Sequence, residues 1–198
     1  MSAIPEIPRT ARVELDPRSA ALIVVDMQND FVSEGGSLLV PSAAATVPAI
    51  GSLVSRFRDA GAHVVFTQDT HREGDPEWRI WPEHTREGTW GWEIVDALAP
   101  LPAETVVRKP RYDAFYGTPL DQFLRVWGVR SVVLCGTVAN ICVQFTAASA
   151  ALRWYDVVLV EDAISALDPF DLTATLRQTT AVFAGRVVSV AGLELRGG

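Results

Sequence analysis

The sequence predicts a single α/β domain built on an open six-stranded parallel sheet with helices on both faces, a Rossmann-like three-layer fold. Short apolar runs alternate with helical patterns along the whole chain, which is typical of strands joined by crossover helices. The first run, residues 20–26, is apolar at successive positions and ends in a carboxylate. Such a run suits a buried parallel strand better than a half-exposed antiparallel one. A chain of 198 residues is long enough for one domain with a substantial core.

The elements are expected in a regular order along the chain. Residues 1–18 form an arm that contains three prolines, and the domain spans residues 19–198. The predicted strands cover residues 20–26, 63–68, 105–108, 131–135, 156–160 and 186–190. The predicted helices run from Ser42 to residue 60, over residues 93–98, from Thr118 or Asp121 to residue 127, over 141–154 and over 168–184.

Local signals mark where the helices begin and end. Ser42 can cap the first long helix, apolar residues lie on one face of that helix, and Gly61 follows its end. Pro169 favours a helix start because proline is tolerated in the first turn. Residues 70–92 form a long loop with four tryptophans. A loop of this length in a compact domain is usually functional or disordered, and the tryptophans argue against disorder.

The composition excludes several classes of protein. The net charge is −7 without a basic stripe, which argues against a nucleic-acid partner. The sequence contains no run of about 18 apolar residues, so no membrane span is expected. The N-terminus lacks the apolar core of a signal peptide. Cys135 and Cys142 lie on either side of one predicted turn, so no disulfide framework is expected. A reducing cytoplasm is the expected compartment.

Four chemical groups follow the ends of different predicted strands: Asp26, Asp69, Lys109 and the turn before Cys142. Ligands of open parallel sheets bind beyond the carboxyl ends of the strands, so these groups are expected to converge there. Taken one at a time, a packed cysteine, a loop-bonding carboxylate and a solvated lysine are the simpler explanations. Their joint placement predicts that Cys142, at the start of a helix, is a nucleophile.

The expected chemistry assigns a role to each group. Asp26 accepts the thiol proton, and burial would raise the pKa of Asp26 and bring it closer to that of a thiol. Lys109 stabilises the thiolate. The backbone N–H groups of Val138 and Cys142, near the start of the helix, form the expected oxyanion hole.

A second cluster follows the strand that ends before Asp69. An Asp-x-His pattern, Asp69 and His71, is followed by His84 in the same loop. A carboxylate and two imidazoles can make a three-ligand metal site with open positions for water or substrate. The alternative is that these side chains hydrogen-bond the backbone of the loop.

Three motifs then occur in order over residues 19–190: Asp26-Met-Gln-Asn-Asp-Phe31, Lys109 with the Arg-Tyr segment that follows, and Gly136-x-x-x-Asn-x-Cys142-Val. Together they resemble the cysteine hydrolases of the isochorismatase-like superfamily. The resemblance implies an Asp26–Lys109–Cys142 triad and a cis peptide bond between Thr137 and Val138. Isochorismatases proper lack the cysteine, so Cys142 implies amide hydrolysis instead of vinyl-ether cleavage.

Within the superfamily, residues 69–89 resemble the metal-binding segment of nicotinamidases. This resemblance implies that Asp69, His71 and His84 bind a zinc, iron or manganese ion that holds the ring nitrogen of the substrate. The pocket residues that it implies are Phe31 and Trp81, on either side of the ring, and Tyr116.

The sequence departs from nicotinamidases at a few positions. Thr85 follows His84 where those enzymes usually have cysteine, and Ala139 stands where threonine is usual. The loop is acidic, and Glu77 could add a metal ligand or contact a cationic substrate. These departures leave the triad intact and leave the substrate open.

The function expected from the sequence is a cysteine amidohydrolase, with nicotinamide as the best single substrate and a thioester acyl-enzyme as the intermediate. A streptothricin-type lactam or a carbamoyl amide is the alternative. A non-catalytic binding domain is the hypothesis from another class, since members of a fold can lose their chemistry. A divalent metal and a homo-oligomer, a dimer or tetramer, are expected. No organic cofactor and no nucleic-acid or membrane partner is expected.

Overall fold

The centre of the molecule is a sheet of six parallel strands, seen in a computed structural model that describes residues 6–197. In chain order the strands are β2 (Ala20–Val25), β3 (His63–Asp69), β4 (Thr105–Lys109), β5 (Ser131–Gly136), β6 (Asp156–Ile164) and β7 (Arg186–Val188). They lie in the order β4-β3-β2-β5-β6-β7, and each neighbouring pair is parallel. The predicted fold class is confirmed.

The strand order reverses between β2 and β5. From β2 the chain adds β3 and then β4 on one side, and it crosses back to place β5 on the other side. Such a reversal leaves a crevice beyond the carboxyl ends of the two central strands. Asp26 follows β2 directly, and the turn that leads to Cys142 follows β5. The crevice therefore lies where sequence reasoning places the chemistry.

Helices cover both faces of the sheet. They are α1 (Asn29–Val32), α2 (Ala43–Asp59), α3 (Leu120–Val126), α4 (Gln144–Leu152) and α5 (Pro169–Val182). Successive side chains of a strand point to opposite faces. Leu22 and Val24 of β2 therefore pack in the core under α2, whereas Ala21 and Ile23 pack in the core under α3, α4 and α5. Within residues 6–197, no helix has both the length and the apolar character that a membrane span needs.

Several elements differ from their predicted bounds. The helix predicted over 141–154 is a π turn, Ala139–Val143, followed by α4. The short helix predicted over 93–98 is replaced by two 3-10 turns, Trp90–Trp92 and Asp96–Leu98. Strand β6 runs to Ile164, beyond the predicted end at residue 160, because its pairing with β5 resumes after an irregularity.

Ser42 directly precedes α2, but its side chain does not cap the helix. Its hydroxyl instead donates to the Ala166 carbonyl and accepts the Ala166 N–H, both at 3.2 Å. The predicted side-chain cap is thus wrong, because the hydroxyl is used to tie α2 to the loop after β6.

Part of the segment predicted as an N-terminal arm is built into the fold. Val13–Leu15 forms β1, which pairs in parallel with β8, Leu193–Leu195, in a separate two-stranded sheet. Arg9 also forms an ion pair with Glu161 at 2.7 Å. Residues 1–5 and 198 lie outside the described residues.

Candidate active site

Lys109, at the end of β4, is the centre of the site. Its Nζ atom lies 2.8 Å from Asp26 Oδ2, 2.9 Å from Asp69 Oδ1 and 3.5 Å from Cys142 Sγ. It also donates a 3.1 Å hydrogen bond to the Arg111 carbonyl. Lys109 and its three side-chain partners are all buried. The structure thus brings together the three residues of the predicted triad, with Asp69 as a fourth member.

Asp26 is held at the end of β2 by its neighbour on β3. Thr67 Oγ1 donates to Asp26 Oδ1 at 2.6 Å and accepts the Asp26 N–H at 3.1 Å. Asp26 has a φ of 49°, in the left-handed region that aspartate adopts more readily than most residues. Its Oδ2 atom faces the Lys109 ammonium as an ion pair, outside hydrogen-bond geometry. Burial raises the pKa of Asp26, against the opposing charge of Lys109.

Burial and the neighbouring charges act in opposite directions on the pKa values of Lys109 and Asp69. Burial acts to lower the pKa of Lys109, but Asp26 and Asp69 together hold it well above its usual value. Burial acts to raise the pKa of Asp69, but Lys109 and the neighbouring histidines hold it well below its usual value. Lys109 and Asp69 are therefore charged at neutral pH, and Asp26 is the carboxylate whose proton affinity is increased.

The turn that leads to Cys142 begins with a glycine that cannot be replaced without movement. Gly136 has a φ of 110°, and a Cβ atom there would lie 2.1 Å from the Val25 carbonyl oxygen. In the same turn, the peptide bond between Thr137 and Val138 is cis. The N–H groups of Thr137 and Ala139 donate to the carbonyls of Val25 and Ser165.

Val138 and Cys142 border a cavity in front of this turn. Within the described part of the chain, the Val138 N–H has no backbone acceptor, which suits its predicted role in an oxyanion hole. Burial raises the pKa of the Cys142 thiol well above its usual value, although the nearby Lys109 charge opposes this. The resting thiol is therefore protonated, and attack requires a group that takes its proton.

The cavity has a volume of about 20 Å³. Its walls are Phe31, Leu38, Asp69, Glu77, Trp81, His84, Tyr112, Thr137, Val138, Ile141 and Cys142. A far larger cavity, about 570 Å³, lies between α4, the start of β6 and the end of α5. None of the predicted site residues lines that larger cavity, so we assign the chemistry to the smaller one.

Phe31 and Trp81 line the cavity as predicted, but Tyr116 does not. Tyr116 is 63% exposed, because the turn from Asp113 to Tyr116 directs it outward. Tyr112 takes its place, and its hydroxyl accepts a 3.0 Å hydrogen bond from the Trp81 indole N–H. Both tyrosines follow Lys109 in one aromatic segment, and the sequence contains no signal that separates them.

The second cluster contains the three predicted ligands and also Glu77, for which the sequence left two roles open. Asp69, His71, Glu77 and His84 are all buried, and one ligand atom from each lies within 4.8 Å of the others. His71 Nε2 is 3.0 Å from Asp69 Oδ2 and 3.7 Å from Glu77 Oε1. His84 Nε2 is 3.5 Å and 4.0 Å from the same two atoms. Four ligands around one ion at 2.0–2.2 Å would be about 3.4 Å apart, which is close to these separations.

The orientation of the two histidines also fits a metal ion. His71 Nδ1 contacts Asp75 Oδ2 at 3.1 Å, and His84 Nδ1 contacts the Pro82 carbonyl at 2.7 Å. These acceptors favour the proton on Nδ1, which leaves the lone pairs of both Nε2 atoms facing two carboxylates. Glu77 Oε2 is buried and, among the described residues, has no hydrogen-bond partner. A cation satisfies this set of acceptors, so the residues fit a divalent metal.

The sequence comparison covers most of the chain. The sequence model of the isochorismatase domain family matches residues 20–191. The chain belongs to the isochorismatase family. Among curated relatives of this family member, the ureidoacrylate amidohydrolase RutB of Methylorubrum extorquens is 34% identical, over 94% of this chain and 86% of its own length.

Solved structures of the family superpose on this member along most of its length. The N-carbamoylsarcosine amidase from Thermoplasma acidophilum is 40% identical, with a TM-score of 0.80 over 87% of this chain and 96% of its own. The pyrazinamidase of Pyrococcus horikoshii in complex with zinc is 31% identical, with a TM-score of 0.77 over 91% and 99% of the two chains. The predicted enzyme class, a hydrolase of non-peptide C–N bonds, is confirmed.

Proposed function

We propose that the protein hydrolyses a small amide through a thioester on Cys142, with Asp26 and Lys109 as its partners. One observation carries the proposal: the Lys109 ammonium is 2.8 Å from Asp26 and 3.5 Å from the Cys142 sulfur, and Cys142 lines a cavity with aromatic walls. A thiol, a carboxylate and an ammonium in contact are sufficient for nucleophilic acyl transfer with proton transfer.

In the first half of the reaction, Asp26 accepts the thiol proton as sulfur attacks the amide carbonyl. The raised pKa of Asp26 brings its proton affinity closer to that of the thiol. The Lys109 charge stabilises the developing thiolate. The S–C bond forms, the C–N bond breaks, and the departing nitrogen takes the proton from Asp26 to leave as ammonia or an amine.

The oxyanion of the tetrahedral intermediate would be held by the N–H groups of Val138 and Cys142. Preorganised backbone donors aimed at developing charge are among the largest contributions to catalysis. In the second half, Asp26 accepts a proton from water as the water attacks the thioester. The C–S bond breaks, the acid is released, and the proton returns to the sulfur.

Asp69, His71, Glu77 and His84 are the residues that would hold a zinc, iron or manganese ion. Such an ion would supply a Lewis-acid site for a nitrogen or oxygen of the substrate. The Asp69 carboxylate joins the two halves of the site, since its Oδ1 contacts Lys109 and its Oδ2 faces both histidines.

A nicotinamide-type ring amide is the substrate that the cavity supports best. Phe31, Trp81 and Tyr112 provide aromatic surface for a planar ring, and the acceptor cluster lies at the same cavity. The similarity to a zinc-bound pyrazinamidase supports the same choice. A cavity of about 20 Å³ holds roughly one water, so side chains in its walls must move to admit the substrate.

A carbamoyl amide is the second candidate, and sequence identity favours it. The relatives at 34% and 40% identity are named for ureidoacrylate and N-carbamoylsarcosine. The same triad would attack the carbamoyl carbonyl. A streptothricin-type lactam has no specific observation in its favour.

We also propose that the protein forms a homo-oligomer. Leu152 and Trp154, at the end of α4, are 76% and 93% exposed, and large apolar side chains so exposed are common at subunit contacts. Light scattering that gives only the monomer mass would contradict this proposal.

The test is ammonia release from nicotinamide, pyrazinamide and a set of N-carbamoyl amino acids, each with and without a chelator. We expect turnover of the ring amides that falls on chelation. Turnover of the carbamoyl compounds alone, unaffected by the chelator, would select the second candidate. Release of ammonia by Cys142→Ala at the parent rate would reject the thioester mechanism for both.

A further inference from the structure

We infer that Gln28 and Asp30 are positioning residues: they bind the main chain at Asp69 and directly after His84, and so hold two of the four metal ligands in place beside the triad. This inference rests on the proposed function, because it concerns the same cluster. Neither residue lines the cavity, so neither is expected to touch the substrate. Both are nevertheless buried, on the segment that follows Asp26.

The Gln28 amide pairs with the main chain of Asp69 on both sides of its Cα atom. Gln28 Oε1 accepts the Asp69 N–H at 2.7 Å, and Gln28 Nε2 donates to the Asp69 carbonyl at 2.9 Å. The same Nε2 donates to the Trp92 carbonyl at 2.8 Å. The side chain is fully buried, so water does not replace these bonds.

These bonds complete a sheet that would otherwise be interrupted. The residue-by-residue pairing of β2 with β3 is last made between Val24 and Phe66, but β3 continues to Asp69. On its other side Asp69 pairs with Lys109 of β4. The Gln28 amide therefore makes the main-chain hydrogen bonds that a longer β2 would make to Asp69. The main chain of Asp69 is held by Gln28 on one side and by β4 on the other.

Asp30 holds the loop that carries His84. Asp30 Oδ2 accepts the Thr85 N–H at 2.7 Å, and Asp30 Oδ1 accepts the Ser37 N–H at 3.0 Å. Thr85 follows His84 directly and has a φ of 43°, a conformation that threonine rarely adopts. A buried carboxylate on its N–H explains why this conformation is maintained.

Gly91 shows how closely the loop surrounds Asp30. A Cβ atom at Gly91 would lie 2.2 Å from Asp30 Oδ1, inside the carboxylate. A methyl group at this position would push the Asp30 carboxylate away without changing Asp30 itself. Gly91→Ala is therefore an independent way to disturb the contact with Thr85.

The chain offers a matched control for Gln28. Gln68, one residue before Asp69, is also buried and also donates to the Trp92 carbonyl, at 2.9 Å. No hydrogen bond joins its side chain to Asp69 among the described residues. Gln28→Met and Gln68→Met keep similar volumes and both lose a bond to Trp92, but only the first releases Asp69.

The experiment measures zinc affinity by competition with a chelating dye, together with kcat, KM and thermal melting, for the parent and these variants. We expect Gln28→Met and Gly91→Ala to lose about 10–100-fold in zinc affinity, as is usual when the residues behind a ligand are altered. We expect Gln68→Met to bind zinc like the parent. If Gln28→Met does not fold, Gln28→Glu replaces it, since Glu keeps the shape and loses the donor to Asp69.

Equal zinc affinity in Gln28→Met and Gln68→Met would overturn the inference. Cys142→Ser separates this failure from failure of the proposed function, because it should abolish turnover and leave zinc affinity unchanged. A parent protein that binds no zinc would reject the metal cluster itself. In that case equal kcat in the two glutamine variants would overturn the positioning role as well.

Discussion

Cys135 and Cys142 lie on either side of one turn, and both are buried, but they have different surroundings. Cys135 points into the core under α2, where its sulfur lies 3.9 Å from the Ile23 carbonyl. Burial alone raises the pKa of its thiol far above the usual value. Cys142 belongs to the opposite core and has the Lys109 ammonium at 3.5 Å. Burial alone makes a thiol inert, and charged partners are needed to make it a nucleophile.

The largest expected difference is between the alanine variants of the two cysteines. Cys142→Ala should lower kcat for ammonia release by at least about a thousandfold, because the group that forms the thioester is lost. Cys135→Ala should keep the parent kcat and lower the free energy of unfolding by roughly 1 kcal/mol, because it only leaves a small cavity. Urea denaturation measures the second effect. A loss of turnover in both variants would show that the two thiols are not distinct.

Lys109→Met removes the charge that distinguishes the two environments. It leaves Asp26 and Asp69 buried without their shared cation, so the free energy of unfolding should fall by about 3–5 kcal/mol. Turnover should be lost even under conditions where the variant is folded. Urea denaturation and ammonia release test the two effects. A variant as stable as the parent would mean that the buried carboxylates are neutral.

A small alkylating reagent should separate the thiols directly. Cys142 borders the cavity, whereas Cys135 is fully buried in β5. Native protein treated with iodoacetamide should carry a single adduct at Cys142, with at least roughly a hundredfold preference over Cys135, because reactivity follows access and nearby positive charge. Peptide mass spectrometry locates the adduct. Modification of Cys135 at a similar rate would contradict the distinction.

The smallest expected effect lies in an ion pair remote from both thiols. Arg58 donates two 2.8 Å hydrogen bonds to Glu104. Burial acts to raise the pKa of Glu104, but Arg58 and the Leu101 N–H lower it overall. A lowered pKa stabilises the fold above the unfolded-state value near 4.3, and this stability is lost as the pH falls through the folded-state value.

Glu104→Gln should therefore have a lower melting temperature than the parent at pH 7. The difference between the two melting temperatures should shrink as the pH falls. Its kcat should equal that of the parent, since the pair touches neither cysteine. Melting curves from pH 7 to pH 3 measure the effect. A difference in melting temperature that does not change with pH would show that the charge of Glu104 does not contribute.

The positions of Asp26, Lys109 and Cys142 could be predicted from the ends of strands. Asp26 follows β2, Lys109 ends β4, and the turn after β5 leads to Cys142. The carboxyl ends of parallel strands share one edge of the sheet, so topology alone brings these residues together. Loop residues have no such rule. Tyr112 could not be distinguished from Tyr116, because a turn between them decides which one faces the cavity. Glu77 stayed an open alternative because Asp75, which caps its 3-10 turn, Pro76–Arg79, is held by a 3.1 Å hydrogen bond from Arg111, 36 positions along the chain.

The roles of Gln28 and Ser42 depend on distant partners in the same way. The sequence places Gln28 in a loop and predicts that Ser42 caps a helix. In the structure Gln28 completes the sheet at Asp69, and Ser42 bonds to Ala166. Their partners are identified only when the chain is folded.

Lys109 is the only lysine in the chain. Its side chain is fully buried. Reagents that acylate amines, used to attach dyes or to immobilise proteins on beads, would therefore leave Lys109 unmodified while the protein is folded. An acyl group on Lys109 would report that the active site had opened, so peptide mass spectrometry of the acylated protein measures opening at the catalytic centre.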